Sequence, residues 1–352
     1  MYPRIIINTD HIIHNSKMMV QKAKENHIDS IMAVVKVFAG HYDLINSLVE
    51  TGIHQIGDSR IENLKLLTHI QLPKCLLRLP MISEVDDVVQ YADISLNSEI
   101  KTIKALNQAA KKSNINHQII LMFDLGDLRE GLYYSKPYIH IVENILDLSH
   151  IELLGIGANL TCYGGLVPNK KILNRLIHIK DVIESKFNLH LKIVSGGNSS
   201  TVTLFDQSEI PKAINHLRLG ESILFGKETS YGTNIEGLHQ DNFIFEAEII
   251  ECQTKPSLPD GDTSINSFGE KVQIEDKGAM KRAILAIGKQ DVMLNYLKPI
   301  DTSISIIGGS SDHLILDVTG RDYDIGQIVQ FRVDYPGLLL LMNSNYVKKI
   351  FK

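Results

Sequence analysis

The sequence predicts a (β/α)8 TIM barrel followed by a mostly β C-terminal domain. Three observations carry this. Between Ser30 and Gly220, short apolar runs alternate with longer amphipathic stretches. Eight such units in about 200 residues match a (β/α)8 barrel. After about Tyr231 the texture changes to short strand-like runs separated by Gly, Pro and Asp turns. A chain of 352 residues suits two domains with sizeable cores. A doubly wound sheet uses the same alternation, and periodicity alone does not separate the two.

The opening "RIIINTD" (residues 4–10) is a strand by composition and carries no local cue to the domain it joins, so the strand of residues 1–9 is open to joining the β domain. The apolar runs of the barrel are residues 31–36, 55–58, 74–79, 94–97, 118–123, 153–160, 191–194 and 217–219. Between them, residues 99–112 place Ile103, Leu106 and Ala110 at helical spacing, and residues 169–186 do so with Ile172, Leu176, Ile179 and Ile183. The barrel is therefore expected over 10–231. The β domain is expected over 232–352, from "NFIFEAEIIECQTKPSLPDGD", "KRAILAIG", "SISIIGG", "LILDVTG" and "GQIVQFRVDY".

Composition excludes several classes. A formal net charge of −5 leaves no basic stripe for nucleic acid. Cys75, Cys162 and Cys252 are scattered without a CxxC pair, which argues for reduced thiols in a cytoplasm and against a structural metal. The longest late apolar run, residues 338–342, is far too short to span a bilayer. The N-terminus meets charge too early for a signal peptide.

In a barrel, chemistry gathers at the C-terminal ends of the strands. Those ends read Lys36, "GDSR" (57–60), Asn97, "DLGDLREG" (124–131), "NLTCYGG" (159–165), "SGGNSS" (195–200) and "LRLGES" (217–222). An ammonium at the end of a buried run costs several kcal/mol unless paired or used. Lys36 ends the first run. The turns after strands seven and eight offer small residues and hydroxyl and amide donors, the usual place for a phosphate in such barrels. A lysine facing a phosphate cup suits pyridoxal phosphate, which needs a Schiff-base amine and an anion site. An aldolase-type lysine with a sugar phosphate uses the same two parts.

The chain resembles the alanine racemase family of fold-type III pyridoxal-phosphate enzymes, in its ornithine-racemase-like branch. "AVVKVFAG" resembles the cofactor-lysine motif and "HIIHN" the N-terminal signature. "IGDSRIENL" is similar to the loop after strand two, "GGNSS" to the Asn–Ser phosphate motif, and "LRLGESILFG" to the Arg–x–Gly motif after strand eight. "SSDHLILDV" resembles a segment of the β domain. The order of these motifs runs from about Arg4 to the C-terminus.

The resemblance implies pyridoxal 5'-phosphate as cofactor, a free amino acid as substrate, and no metal. Lys36 would carry the cofactor and serve as one of two α-proton bases, near Arg218, Arg129 and a desolvating interior. Arg218 would face the pyridine nitrogen, and Arg129 the phenolic oxygen. Asn198, Ser199, Gly220 and Glu221 would lie around the phosphate, the last two through backbone N–H, and Tyr335 would reach it from the β domain. Asn159 stands where the family often has a stacking histidine. In this family the β domain of one subunit faces its neighbour's barrel, which implies a head-to-tail homodimer.

Four departures matter. Phe268, in "SFG", stands where the family places its second base, a tyrosine; Asp312 and His313 of "SSDH" are the replacements, with Lys289 a third. Gly40 replaces a tyrosine and is expected to open the pocket. Asn159 replaces the histidine. Met122 falls where some relatives carry a carbamylated lysine. Together these point away from alanine and toward an ornithine- or lysine-like side chain, with Asp58 or Glu62 as receivers of a distal ammonium. A cofactor carrier without turnover and another fold-type III enzyme (decarboxylase or D-amino acid lyase) are the alternatives.

Overall fold

The apolar runs become parallel strands that pair side by side and close on themselves. The computed structural model describes residues 1–352 apart from Asp206, Ser208, Ser267, Val272 and Gln273. The strands are β1 (Arg4–Ile7), β2 (Ser30–Val34), β3 (Gln55–Asp58), β4 (Lys74–Leu76), β5 (Ile94–Asn97), β6 (His117–Asp124), β7 (Leu132–Tyr133), β8 (Ile151–Ala158), β9 (Ile193–Asn198) and β10 (His216–Leu219). The ring runs β2-β3-β4-β5-β6-β8-β9-β10, with β10 returning to pair in parallel with β2. The short β7 adds to the edge of β6. This is the (β/α)8 barrel the sequence predicts.

The helices around it are α1 (Thr9–Glu25), α2 (Tyr42–Asn46), α3 (Ile61–Lys65), α4 (Val85–Tyr91), α5 (Ile100–Lys112), α6 (Ile139–Leu146), α7 (Lys170–Phe187) and α8 (Glu221–Phe225). In α7 the buried residues are Ile172, Leu173, Leu176, Ile179 and Ile183. That stripe recurs every three to four residues and faces the barrel wall. Asn169 starts the helix: its Oδ1 accepts the Ile172 N–H at 2.9 Å, a cap contributing about 1 kcal/mol.

Met32, Cys75, Ile94, Leu96, Ile120, Met122, Leu154 and Ile193 form one buried cluster inside the ring, with Leu77 and Leu79 packed on it. Each fully buried aliphatic side chain stabilises by roughly 1.5–3 kcal/mol. Gly155 leaves β8 no room for a side chain against β9: a Cβ there would lie 2.0 Å from the Ile193 carbonyl oxygen.

The chain divides into two compact units, residues 10–240 and residues 1–9 together with 241–352. The first extends past Tyr231, where the texture of the sequence changes. Asn15 of α1 explains why: its Nδ2 donates to the Ile223 and His239 carbonyls at 3.1 and 2.9 Å, and its Oδ1 accepts the His239 N–H at 2.8 Å. These bonds hold 226–239 on the barrel's first helix.

The second unit contains β11 (Phe243–Pro256), β12 (Ala279–Leu285), β13 (Leu297–Pro299), β14 (Ser305–Gly309), β15 (Leu314–Asp317), β16 (Ile328–Val333), α9 (Tyr335–Asn343) and β17 (Lys348–Phe351). The N-terminal β1 joins this unit, antiparallel to β11 and parallel to β17. Phe245 and Phe331 pack at its centre, rings 5.9 Å apart. Among the described residues, no helix is long and apolar enough to cross a membrane.

Candidate active site

A cavity of about 470 Å³ opens at the C-terminal ends of the barrel strands, lined by Val34, Lys36, Ser59, Leu77, Arg78, Leu79, Leu96, Arg129, Glu130, Asn159, Cys162, Asn198 and Arg218. Its volume suits a small ligand. Lys36 reaches it from a 3-10 turn, Lys36–Phe38, that follows β2 directly. The predicted strand 31–36 therefore ends at Val34: the Val35 N–H still bonds the Gly57 carbonyl at 2.8 Å, and then the chain turns, with Ala39 left-handed. That turn swings Lys36 off the ladder and into the mouth. Gly40 does not line the cavity. It sits at φ +75°, where a Cβ would lie 2.8 Å from Leu66, so glycine there serves the turn rather than a wider pocket.

Arg218, only 3% exposed, crosses the cavity floor from β10. Its Nη2 donates to the Ala158 carbonyl at 2.7 Å and to Asn159 Oδ1 at 3.2 Å, and its Nη1 donates to Ser195 Oγ at 2.5 Å. Behind Ser195 stands His216: Nδ1 lies 2.8 Å from Ser195 Oγ, and Nε2 lies 3.2 Å from Gln55 Oε1. The Gln55 oxygen can only accept, so Nε2 carries the proton and Nδ1 accepts the Ser195 hydroxyl. Burial, and then Arg218, pushes the His216 pKa down to about 3. The imidazole stays neutral and the chain of donors runs one way, from Arg218 through Ser195 and His216 to Gln55.

The two turns expected to hold a phosphate are tied to each other. Asn198 caps the 3-10 turn Ser199–Leu204 through Oδ1 to the Ser200 N–H at 2.8 Å. Its Nδ2 faces Asn159 Oδ1 at 3.2 Å and Cys162 Sγ at 3.2 Å at the cavity wall. Ser199 Oγ accepts N–H bonds from Gly220 at 3.2 Å and Ser222 at 3.1 Å. Gly220 thus directs its N–H at Ser199, and Ser199, Gly220 and Glu221 stand beside the cavity rather than lining it. The Ser200 hydroxyl, fully buried in the same turn, has no partner.

Arg129 follows β6 and pairs with Glu130 through both Nε and Nη2, the latter at 2.6 Å. Glu130 Oε1 also accepts Asn159 Nδ2 at 2.7 Å. Asp127, which sequence reasoning missed, organises the neighbouring loop: its carboxylate accepts the N–H groups of Cys162, Tyr163 and Leu166 at 3.0–3.1 Å. Asp58 is fully buried at the end of β3. It accepts the Arg60 N–H at 2.9 Å and Asn63 Nδ2 at 3.1 Å. Burial raises its pKa to about 6, partly offset by these bonds and by Lys36. Glu62 is exposed in the first turn of α3. Neither carboxylate lines the cavity.

The remaining candidates lie in the second unit. Tyr335 opens α9 behind the Asp334 cap. Asp312 and His313 are solvent-facing, with Asp312 Oδ1 accepting from the Ser310 and Ser311 hydroxyls and lying 3.0 Å from His313 Nδ1. Those bonds lower the Asp312 pKa. Lys289 is bonded to Glu270 at 2.6 Å and lies 4.4 Å over the Phe268 ring. Of "SFG", Ser267 falls outside the described residues, and Phe268 is exposed.

The model for the alanine racemase N-terminal domain matches residues 7–228. An ornithine racemase of Acetoanaerobium sticklandii is 45% identical over 99% of both chains, and a lysine racemase of Thermotoga maritima is 37% identical over 100% of this chain and 99% of that one. The chain belongs to the alanine racemase family. Among solved structures, an alanine racemase of Clostridium difficile 630 superposes with a TM-score of 0.76 over 100% of this chain and 96% of that one, at 18% identity. A D-threonine aldolase from Filomicrobium marinum superposes with a TM-score of 0.72 over 97% and 89%, at 13% identity. At these identities the superpositions speak to the fold alone.

Within the alanine racemase family the cavity's donor set fits pyridoxal phosphate. Lys36 supplies an amine, Arg129 and Arg218 two guanidinium groups, and Asn198 an amide at the end where Ser200 leaves a buried hydroxyl unspent. Asn159, at the family's histidine position, accepts from Arg218 and Asn198 and donates to Glu130. It links two arginines and the Asn–Ser turn, work that an uncharged amide does with both ends. Met122 is fully buried in the barrel core, and Arg129 pairs with the Glu130 carboxylate.

Proposed function

We propose that this chain is a pyridoxal-phosphate-dependent amino acid racemase that interconverts the L- and D-forms of a free, ornithine- or lysine-like amino acid. The observation that carries the reading is Lys36 in one cavity with a buried arginine, Arg218, whose every visible bond is a donated one. The named activities of the ornithine and lysine racemase relatives supply the substrate class.

Bound pyridoxal phosphate supplies an electron sink for the bond to the α-hydrogen. Lys36 would hold it and afterwards take or return the α-proton at Nζ on one face. Arg218 would face the ring nitrogen and, being unable to release its proton, would leave that nitrogen unprotonated. Held that way, Arg218 would favour return of the proton to the α-carbon, and so racemisation over transamination. Asn198, at the cavity wall, would bond the phosphate, with Ser199, Gly220 and Glu221 backing it from the turns beside the cavity, and Arg129 would meet the phenolic oxygen.

The second face needs its own proton carrier. Asp312 and His313, hydrogen-bonded to each other in the second unit, fit that task when supplied by the neighbour in a head-to-tail homodimer. The three unpaired thiols suit a reducing cytoplasm. Chiral chromatography of the loaded enzyme with L-ornithine, L-lysine, L-alanine and L-serine tests the reading. It predicts D-ornithine or D-lysine as the preferred product; D-alanine as the fastest, or no D-product from any of the four, overturns it.

A further inference from the structure

Away from the barrel cavity, three imidazoles of the unit 10–240 meet beside the start of α1. His11 and His14 stand three residues apart on α1, a spacing that puts two side chains on one helix face. His239 packs against both. Its ring centroid lies 3.8 Å from that of His11, with the rings 9° from parallel, and 4.8 Å from that of His14, edge to face. The His239 backbone is fixed by Asn15, which accepts its N–H at 2.8 Å and donates to its carbonyl at 2.9 Å. His14 is oriented too: Nε2 lies 2.9 Å from the Gly237 carbonyl oxygen, which can only accept, so Nε2 carries the proton. None of the three lines the barrel cavity.

One ring nitrogen of His11 and one of His239 lie within 4.8 Å of each other. A tetrahedral zinc ion with Zn–N bonds of about 2.0–2.1 Å holds two imidazole nitrogens roughly 3.3 Å apart. Rotation about the Cβ–Cγ bonds splays the stacked rings, closes that gap and turns both lone pairs onto one point. Both rings are half-buried, so water can still reach the ion. We propose that His11 and His239 bind a divalent transition-metal ion of the zinc class, with water completing its coordination. Imidazole selects such ions over magnesium and calcium, which take oxygen ligands. His14 is a positioning residue that packs edge-on against His239 and limits the turn of its ring. The two ligands are the second and the second-to-last residues of the unit 10–240. A metal bridging them clips the ends of that unit together, and a clip across so long a loop removes the most freedom from the unfolded chain. The inference stands apart from the racemase reading, because it concerns stability and not the reacting atoms.

The test adds zinc chloride to the untagged, cofactor-loaded protein after a chelator has stripped it of metal, and follows thermal unfolding by calorimetry. Wild type is expected to take up one zinc per chain and to unfold about 5–10 °C higher, the shift given by a one-site ligand at roughly 100 times its Kd in a domain of this size. Magnesium at the same concentration should leave the transition where it was. His11→Gln and His239→Gln should each lose the shift. His190→Gln, which removes an exposed imidazole paired with Glu184, should keep it. Should a ligand variant not fold, X-ray absorption at the zinc edge of the loaded wild type answers the same question, with two imidazole ligands expected. No stabilisation by zinc, the same stabilisation in wild type and both ligand variants, or a spectrum showing only sulfur or oxygen ligands would mean an adventitious ion only and overturn the inference.

Discussion

The two walls of the barrel cavity are built on opposite plans. The wall from Ala158 to Arg218 is a hydrogen-bond chain that runs from Asn159 through Arg218, Ser195 and His216 to Gln55. The facing wall is leucine and serine with one salt-bridged arginine, Arg78. The first plan fixes a charge and its orientation, as a cofactor common to a whole family requires. The second leaves apolar surface that changes in size without breaking a network. Substrate choice can drift on that side while the chemistry on the other stays in place.

That contrast can be broken at several points. The largest effect belongs to Arg218, whose loss leaves the Ala158 carbonyl and the Ser195 hydroxyl short of a buried donor. Arg218→Met is expected to destabilise by roughly 3 kcal/mol, from bonds to a charged group and the groups they strand; urea unfolding measures it. Leu79→Ala, on the other wall, should cost about 2 kcal/mol or less because that site is only half-buried, and should alter substrate preference rather than cofactor affinity.

A third effect separates the walls by pH. His216 has a folded pKa lowered to about 3 by burial. Its contribution is therefore full above the unfolded histidine value of about 6.5 and is lost as pH falls toward 3. Asp58, raised to about 6, has the opposite sign: its contribution is present below about 4 and lost as pH rises through 6. Unfolding followed from pH 7 to pH 4 should show a steep loss in wild type and a shallower one in His216→Gln, while Asp58→Asn steepens it slightly. Identical slopes in wild type and His216→Gln would show that the buried imidazole does not stay neutral. The smallest effect is Phe268→Tyr, expected to leave turnover within about twofold because a residue outside the proton path contributes little differential binding; a large gain in steady-state rate would return the second base to that position.

Much of this was legible in the sequence because strands end where apolar runs end. Lys36, Arg129, Asn159, Asn198 and Arg218 all sit at such ends, and the fold brings them to one cavity. The alternation that revealed eight strands is local, set by neighbours along the chain. Contacts between distant strands leave no such trace. Gln55 and His216 are 161 residues apart, so nothing in spacing links them. Arg78 carried a signal of the same kind as Lys36, a charge inside the apolar "LLRLP", with Glu84 six residues on as its partner. Asp127 and Glu130 lay inside "DLGDLREG", where the loop's composition suggests a turn and only the folded loop shows which amides they bind. Gly40 was misread for the converse reason: its role is a backbone angle, and a missing side chain looks like space.

The central claim is that Lys36 moves an α-proton against a network that keeps Arg218 charged. The most direct measurement is α-hydrogen exchange of L-ornithine in heavy water by the cofactor-loaded enzyme, followed by proton NMR beside Lys36→Ala. The account predicts α-deuterium appearing in D-ornithine with wild type, and a loss on the order of 10⁴-fold in Lys36→Ala, the upper range for a positioned acid–base group. Wild-type enzyme that binds ornithine yet leaves its α-hydrogen unexchanged would contradict it.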